Sequence, residues 1–237
     1  MKYQVSRVVA GPLLYLLWRP QVTGAEHIPR AGGAIIASNH LSFVDSIFLP
    51  LVIDRPLTFA AKSEYFAVRR PSHIFVGAYL RATGQLRVDR DGARAAQDML
   101  DAALGLLRSG ELFGLYPEGT RSPDGRLYRG RTGVGWLALA SGVPVIPAAV
   151  IGTDRVLPPG RVVPGLHQVT IRLGEPMTFE KYQQGGPAAV ARRAITDDVM
   201  TAIQALSGQE YVHMYASARK AELNGGASGS GRPRDPS

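Results

Sequence analysis

No cysteine occurs among the 237 residues, which excludes a disulfide framework, a thiolate nucleophile and a thiolate metal site. Nothing in that absence demands an oxidising compartment, and a cytosolic setting fits it. Gly-x-Ser-x-Gly and the phosphate-binding P-loop are also missing, which removes the usual serine-nucleophile and nucleotide signatures. A long apolar run is lacking too. The N-terminal stretch from Val8 to Trp18 is broken by Gly11 and Pro12 and falls short of the ~20 helical residues that cross a bilayer. Trp18, Arg19 and Pro20 follow it, where a signal peptide would carry small residues for cleavage. There is no recognition-helix motif and no basic stretch interleaved with aromatics, so nucleic acid is not expected as a partner. His27, His73, His167 and His213 lack metal-ligand spacing, and no metal is expected.

What is present describes a globular chain. Hydrophobic residues make up 45% and charged residues 19%, and the length suits one full domain with a sizeable core. A net charge of +8 predicts attraction to an anionic partner such as a membrane surface or a phosphorylated substrate. Residues 1–20 read as an interfacial helical segment. Leu13, Leu14, Leu16, Leu17 and Trp18 would enter the headgroup boundary, and Lys2, Arg7 and Arg19 would meet anionic lipid. The alternative is a helix that packs on its own domain. Residues 21–215 form the main domain. Residues 216–237, ending in "NGGASGSGRPRDPS", are expected to be disordered.

Within the domain, apolar runs at 32–38, 57–62, 111–117 and 143–152 read as strands, as do the alternating 85–90 and 167–176. Helical periodicity covers 93–108 and 188–206, with further helices at 46–53 and 132–140. Strands alternating with helices predict an α/β fold, a mixed and largely parallel central sheet flanked by helices. Ligand sites in such sheets lie on loops at the carboxyl ends of strands. The three least ordinary loops all follow apolar strands: Asn39-His40, Arg90, and Pro117 to Arg121.

His40 and Asp45, in "IIASNHLSFVD", are five residues apart, which on one unbroken helix separates their directions by roughly 140°. If they touch, a turn lies between them, with His40 on the loop and Asp45 in the next helix's first turn. That placement suits a carboxylate that orients a histidine base. It equally suits a loop histidine beside a helix N-cap. With no enzyme nucleophile in view, a base here would act directly on a substrate hydroxyl. In "LYPEGTRSPDGR", Gly119 permits close backbone approach, Thr120 and Ser122 offer hydroxyls, and Arg121 offers a fork suited to phosphate. Glu118 either fixes that loop or contacts a substrate hydroxyl. "GVGWLA" at 133–138 has glycine spacing, but the polar "YRGRT" precedes it instead of a strand, which argues against dinucleotide binding.

These segments, in this order, resemble the glycerolipid acyltransferase family, in particular its 1-acylglycerol-3-phosphate O-acyltransferases. "NHLSFVD" matches the first family motif. "GQLRVDR" resembles the second, with Arg87 where an apolar residue is usual, and "YPEGTRS" matches the third with Tyr116 for the commoner Phe. "VPVIPAAV" matches the fourth through Val143, Pro144 and Pro147. The resemblance implies that His40 takes the acceptor hydroxyl's proton and that Asp45 orients it. It further implies that Arg90, Glu118, Gly119, Thr120, Arg121 and Lys62 bind substrate, with backbone N–H groups near Gly119 as oxyanion donors. The implied partners are a lysophospholipid acceptor, an acyl thioester on coenzyme A or acyl carrier protein, and a membrane surface at the cytoplasmic face. No cofactor is implied. Glycerol-3-phosphate or a lyso-aminolipid is the alternative acceptor.

Overall fold

The strand Ala34–Ser38 (β2) is buried along its whole length and has parallel neighbours on both sides, β5 (Leu112–Leu115) and β7 (Val145–Ile151). A strand paired at both edges and covered on both faces must be apolar throughout, which is why these residues read as a run and not as an alternation. The computed structural model of the chain describes residues 11–12, 14–62, 85–88, 93–158, 160–161, 163–182 and 187–228, with backbone alone at 62, 88, 93 and 225–228. Among them, β1 (Gln21–Thr23), β3 (Leu57–Lys62), β4 (Leu86–Val88) and β8 (Thr170–Leu173) complete a seven-stranded sheet in the order β1-β8-β7-β2-β5-β3-β4. Every neighbouring pair is parallel except β7 with β8. The sheet is therefore mixed and largely parallel.

Successive side chains of β2 supply both halves of the core, as the two-residue period of a strand requires. Ile36 packs with Phe48 and Leu49 of helix α1 (Asp45–Val52). Ile35 and Ala37 face the other way, onto Leu107 of α2 (Ala93–Arg108), Val134 and Leu137 of α3 (Gly133–Ser141), and Ile195 and Val199 of α4 (Ala188–Ser207). The periodicity at 93–108 predicts the bounds of α2, and α4 ends at Gly208, which adopts the left-handed φ of 70° that suits glycine after a helix. Pro147 sits inside β7 opposite Ala37. The regular β8 ladder begins one residue later, at Ala148, and the Pro147 carbonyl accepts the Gly174 N–H at 2.8 Å. A proline is tolerated there because its missing donor falls at the irregular step between that ladder and the Val145–Met177 bridge.

Two features depart from the sequence reading. Residues from 216 onward begin as a helix, α5 (Ala216–Ser228), and not as a disordered tail. Its first eight residues, "ASARKAEL", are mostly good helix formers, and Ala216 is fully buried; residues 229–237 lie outside the described residues. Two short strands, β6 (Leu127–Tyr128) and β9 (Tyr211–Val212), pair with each other and are too brief to leave a periodic signal. Residues 14–18 are helical. Leu14 and Trp18 pack on the core, and the Trp18 ring meets Phe48 edge-on at 6.0 Å. Tyr15, Leu16 and Leu17 are exposed. Leu14 and Trp18, expected at a headgroup boundary, thus face the core as the packing alternative has it, and Leu13 lies outside the described residues. Among the described residues, no helix is long and apolar enough to cross a membrane.

Candidate active site

The parallel strands β2, β3, β5 and β7 bring their carboxyl ends to one edge of the sheet, and the loops after β2 and β5 meet there. The backbone N–H of Ser122 donates to the carbonyl of His40 at 2.7 Å, tying the two loops together. Asn39 is fully buried. Its side chain accepts the Val150 N–H at 2.8 Å and donates to the Val150 carbonyl at 3.0 Å, which locks the loop after β2 onto β7.

Asp45 is the first residue of α1, and a turn separates it from His40, as their spacing requires. It does not cap its own helix. Its Oδ2 turns back to accept the N–H groups of Leu41 at 2.7 Å and Ser42 at 2.8 Å, together with His40 Nδ1 at 2.9 Å. The carboxylate is 0% exposed and the imidazole 16% exposed. With two backbone N–H groups already on Oδ2, the arrangement favours His40 donating through Nδ1, which leaves Nε2 as the basic nitrogen. The imidazole stacks on Tyr116 with ring centres 3.8 Å apart and planes 8° from parallel. Tyr116 stacks in turn on Phe59 at 5.1 Å, and its hydroxyl meets Ser46 Oγ of α1 at 2.8 Å. Tyrosine in place of the commoner phenylalanine therefore adds a polar anchor to the stack.

Glu118 is 1% exposed and spends both oxygens on backbone. Oε1 accepts the His40 N–H at 3.2 Å, and Oε2 accepts the Tyr128 N–H at 2.9 Å. Burial pushes its carboxyl up to about 7; the two backbone donors oppose that rise, nearby Asp45 adds to it, and Lys220 opposes it. Of the two readings open for Glu118, the geometry matches loop fixing and leaves neither oxygen facing a substrate. Gly119 has φ 73°, which favours glycine, and a Cβ there would come within 2.9 Å of Arg131 Cδ, a contact that the flexible side chain would have to yield to. Its N–H donates to the Tyr116 carbonyl at 2.9 Å and is therefore not aimed at a reacting oxygen. Thr120 Oγ1 accepts from Lys220 Nζ at 2.7 Å, and Arg121 is exposed. Lys62 ends β3 at the same sheet edge, with its side chain outside the described residues. Arg90 lies outside them altogether.

A cavity of about 610 Å³ opens beside His40 between β3, β5, α2 and α3. Phe59, Met99, Leu100, Phe113, Leu115 and Leu137 make its wall largely apolar, and Gly119 and Arg131 also line it. Sequence reasoning missed Arg131, Gln209 and Lys220. Arg131 stands in the polar run "YRGRT", which is the one signal that could have found it. Gln209 accepts from Asn39 Nδ2 at 2.8 Å across 170 residues, a separation that leaves no local pattern.

A model of the acyltransferase family matches residues 19–151, more than half of the chain. The chain belongs to the acyltransferase family. The matched span contains His40, Asp45, the 116–121 loop and Arg131, whereas Gln209 and Lys220 lie beyond it. The chloroplastic 1-acyl-sn-glycerol-3-phosphate acyltransferase of Brassica napus is 29% identical over 157 residues, 66% of this chain and 44% of that protein. The 1-acyl-sn-glycerol-3-phosphate acyltransferase of Bacillus subtilis is 28% identical over 159 residues, 66% and 73% of the two chains. The solved structure of the 1-acyl-sn-glycerophosphate acyltransferase of Thermotoga maritima superposes with a TM-score of 0.65 at 25% identity, covering 86% of this chain and 79% of that one. The chain thus spans less than half the length of the plant acyltransferases it matches first, 44% and 42%.

Proposed function

We propose that the chain transfers an acyl group from an acyl thioester to the free hydroxyl of 1-acylglycerol-3-phosphate, giving phosphatidic acid. The observation that carries this reading is the His40–Asp45 hydrogen bond, 2.9 Å long, set at the mouth of a largely apolar cavity of about 610 Å³. That volume falls within the ~300–1,000 Å³ of ordinary ligand sites, and its apolar wall suits a hydrocarbon chain. The relatives named for this same reaction support the choice of acceptor.

In the proposed reaction, His40 Nε2 removes the acceptor's hydroxyl proton as its oxygen bonds to the thioester carbonyl carbon. Asp45 steadies the imidazolium that forms. The tetrahedral intermediate then collapses, the carbon–sulfur bond breaks, and the departing thiolate takes the proton from Nε2. Ester and thiol are the products, and no acyl-enzyme forms. Arg121, with Arg90, is the proposed clamp for the acceptor phosphate. Coenzyme A or acyl carrier protein carries the donor. A lipid acceptor gives the exposed Tyr15, Leu16 and Leu17 a reason to meet the cytoplasmic face of a membrane.

Mass spectrometry of the lipids formed by purified protein from one acyl-CoA and a panel of lyso-acceptors tests the reading. Phosphatidic acid from the parent is expected, and a product from glycerol-3-phosphate or a lyso-aminolipid alone would overturn the acceptor. His40→Ala should lower kcat by about 10²- to 10⁴-fold with an unchanged circular-dichroism spectrum. Undiminished turnover would remove His40 as the base.

A further inference from the structure

The family match ends at residue 151, yet a much later segment is built onto the 116–121 loop and its surroundings. Gln209 bridges Asn39 and the Gly125 carbonyl, at 2.8 and 2.6 Å. β9 lies beside β6, and the Met214 carbonyl accepts the Arg129 N–H at 3.0 Å. From α5, Ser217 Oγ accepts from Arg131 Nη2 at 3.1 Å, and Lys220 Nζ donates to Thr120 Oγ1 at 2.7 Å. The last contact spans 100 residues and sets an ammonium on the loop that also carries Glu118, Gly119 and Arg121.

Three cations gather around this loop without carboxylate partners. Among the described residues, neither Lys220, Arg121 nor Arg131 forms an ion pair. Arg131 lines the cavity together with His40 and Gly119. Glu118 is the nearby acidic group, and its oxygens are committed to backbone. Burial and the Arg121 guanidinium hold the Lys220 ammonium below the ordinary lysine range, only partly opposed by Glu118. Like charges held together with Glu118 as the opposing group and no direct ion pair are relieved by a bound anion. Lys220 gives one N–H to Thr120 and has two more to offer.

We infer that Lys220 is a specificity-determining residue whose ammonium, carried in by α5, joins Arg121 and Arg131 in binding a substrate phosphate group. This rests on the proposed acyl transfer and adds a residue outside the family-matched span. The phosphate is either the acceptor's monoester or a phosphate of a coenzyme A donor, and the two sources give different kinetics.

Steady-state kinetics on the full chain, varying lysophosphatidic acid and acyl-CoA in turn, test the inference in Lys220→Met and Lys220→Arg. Lys220→Met should raise one KM about tenfold, the scale of one charge-assisted hydrogen bond, with a smaller change in kcat. Lys220→Arg should recover most of it. If the acceptor supplies the phosphate, the preference for lysophosphatidic acid over monoacylglycerol, as a ratio of kcat/KM, falls by the same factor. If the donor supplies it, KM for acyl-CoA rises while KM for an acyl-pantetheine does not. Both KM values staying within twofold of the parent, or a kcat loss that follows a lowered Tm and is not rescued by arginine, would overturn the inference. Inorganic phosphate separates its failure from failure of the acyl-transfer reading. Phosphate should raise the parent's Tm above that in chloride of equal ionic strength, and Lys220→Met should lose that difference, whether or not phosphatidic acid is made. An equal phosphate effect in parent and variant would also count against Lys220.

Discussion

At Glu118, two backbone N–H groups, His40 of the loop after β2 and Tyr128 of β6, converge on one buried carboxylate. Glutamine offers a single acceptor oxygen and would turn its NH₂ against the other N–H, so Glu118→Gln should cost about 1–3 kcal/mol. The pH dependence has a definite sign. The folded carboxyl sits at about 7 against an ordinary 4.5, so the folded chain holds this proton more tightly than the unfolded one. Stability from this group is complete below about pH 4.5 and is lost as pH rises through about 7. The ionisable groups facing it are Asp45 from α1 and Lys220 from α5, with the His40 backbone on the adjoining loop. Urea unfolding at several pH values should show that Glu118→Gln removes this component of the decline; an unchanged slope would reject the assignment. Asp45→Asn keeps an acceptor oxygen for Leu41 and Ser42 but withdraws the charge that, in the proposed reaction, steadies the His40 imidazolium. A kcat loss of about 10²- to 10⁴-fold with a small change in Tm is expected, and a large Tm loss with little effect on kcat would make Asp45 a structural residue.

Close approach between elements depends on particular glycines. A Cβ at Gly135 in α3 would stand 2.2 Å from the Arg192 carbonyl oxygen of α4, and helix backbone cannot yield as a flexible side chain can. Gly135→Ala should therefore destabilise by about 1–3 kcal/mol, lowering Tm by about 2–4 °C per kcal/mol for a chain of this size. Calorimetry reads this directly. Gly114 in β5 faces the Phe59 ring, 2.4 Å from where a Cβ would lie. Phe59 supports Tyr116, and Tyr116 supports His40, so Gly114→Ala should lower kcat as well as Tm. A Tm loss with unaltered turnover would mean that the ring stack does not hold His40 for the proposed reaction.

For the whole molecule, the net charge of +8 predicts attraction to anionic bilayers beyond any specific site. Cosedimentation with phosphatidylglycerol vesicles should weaken between 0.1 and 1 M salt, as the Debye length shrinks from about 10 to 3 Å. Retention at 1 M would instead assign binding to insertion of apolar residues such as Tyr15, Leu16 and Leu17.

Much of this architecture was legible because its signals are local. The buried runs of β2 and β7, the periodicity of α2 and α4, the loop residues His40 and 117–121, and Asp45 at the start of α1 all lie within short windows of sequence. Spacing also required the turn between His40 and Asp45. It could not show that Asp45 binds the loop before it instead of capping its own helix, nor that Glu118 is consumed by backbone. Those outcomes depend on which N–H groups the fold leaves unpaired. Lys220 on Thr120 and Gln209 on Asn39 are decided only in three dimensions, because contacts across 100 and 170 residues carry no periodicity. The sequence by itself determined the elements and the chemical groups at their ends, through local propensity and the burial pattern of a parallel sheet. Tertiary structure decided which of those groups face one another, because burial removes water as the alternative partner and most buried polar atoms take a partner that the packing supplies.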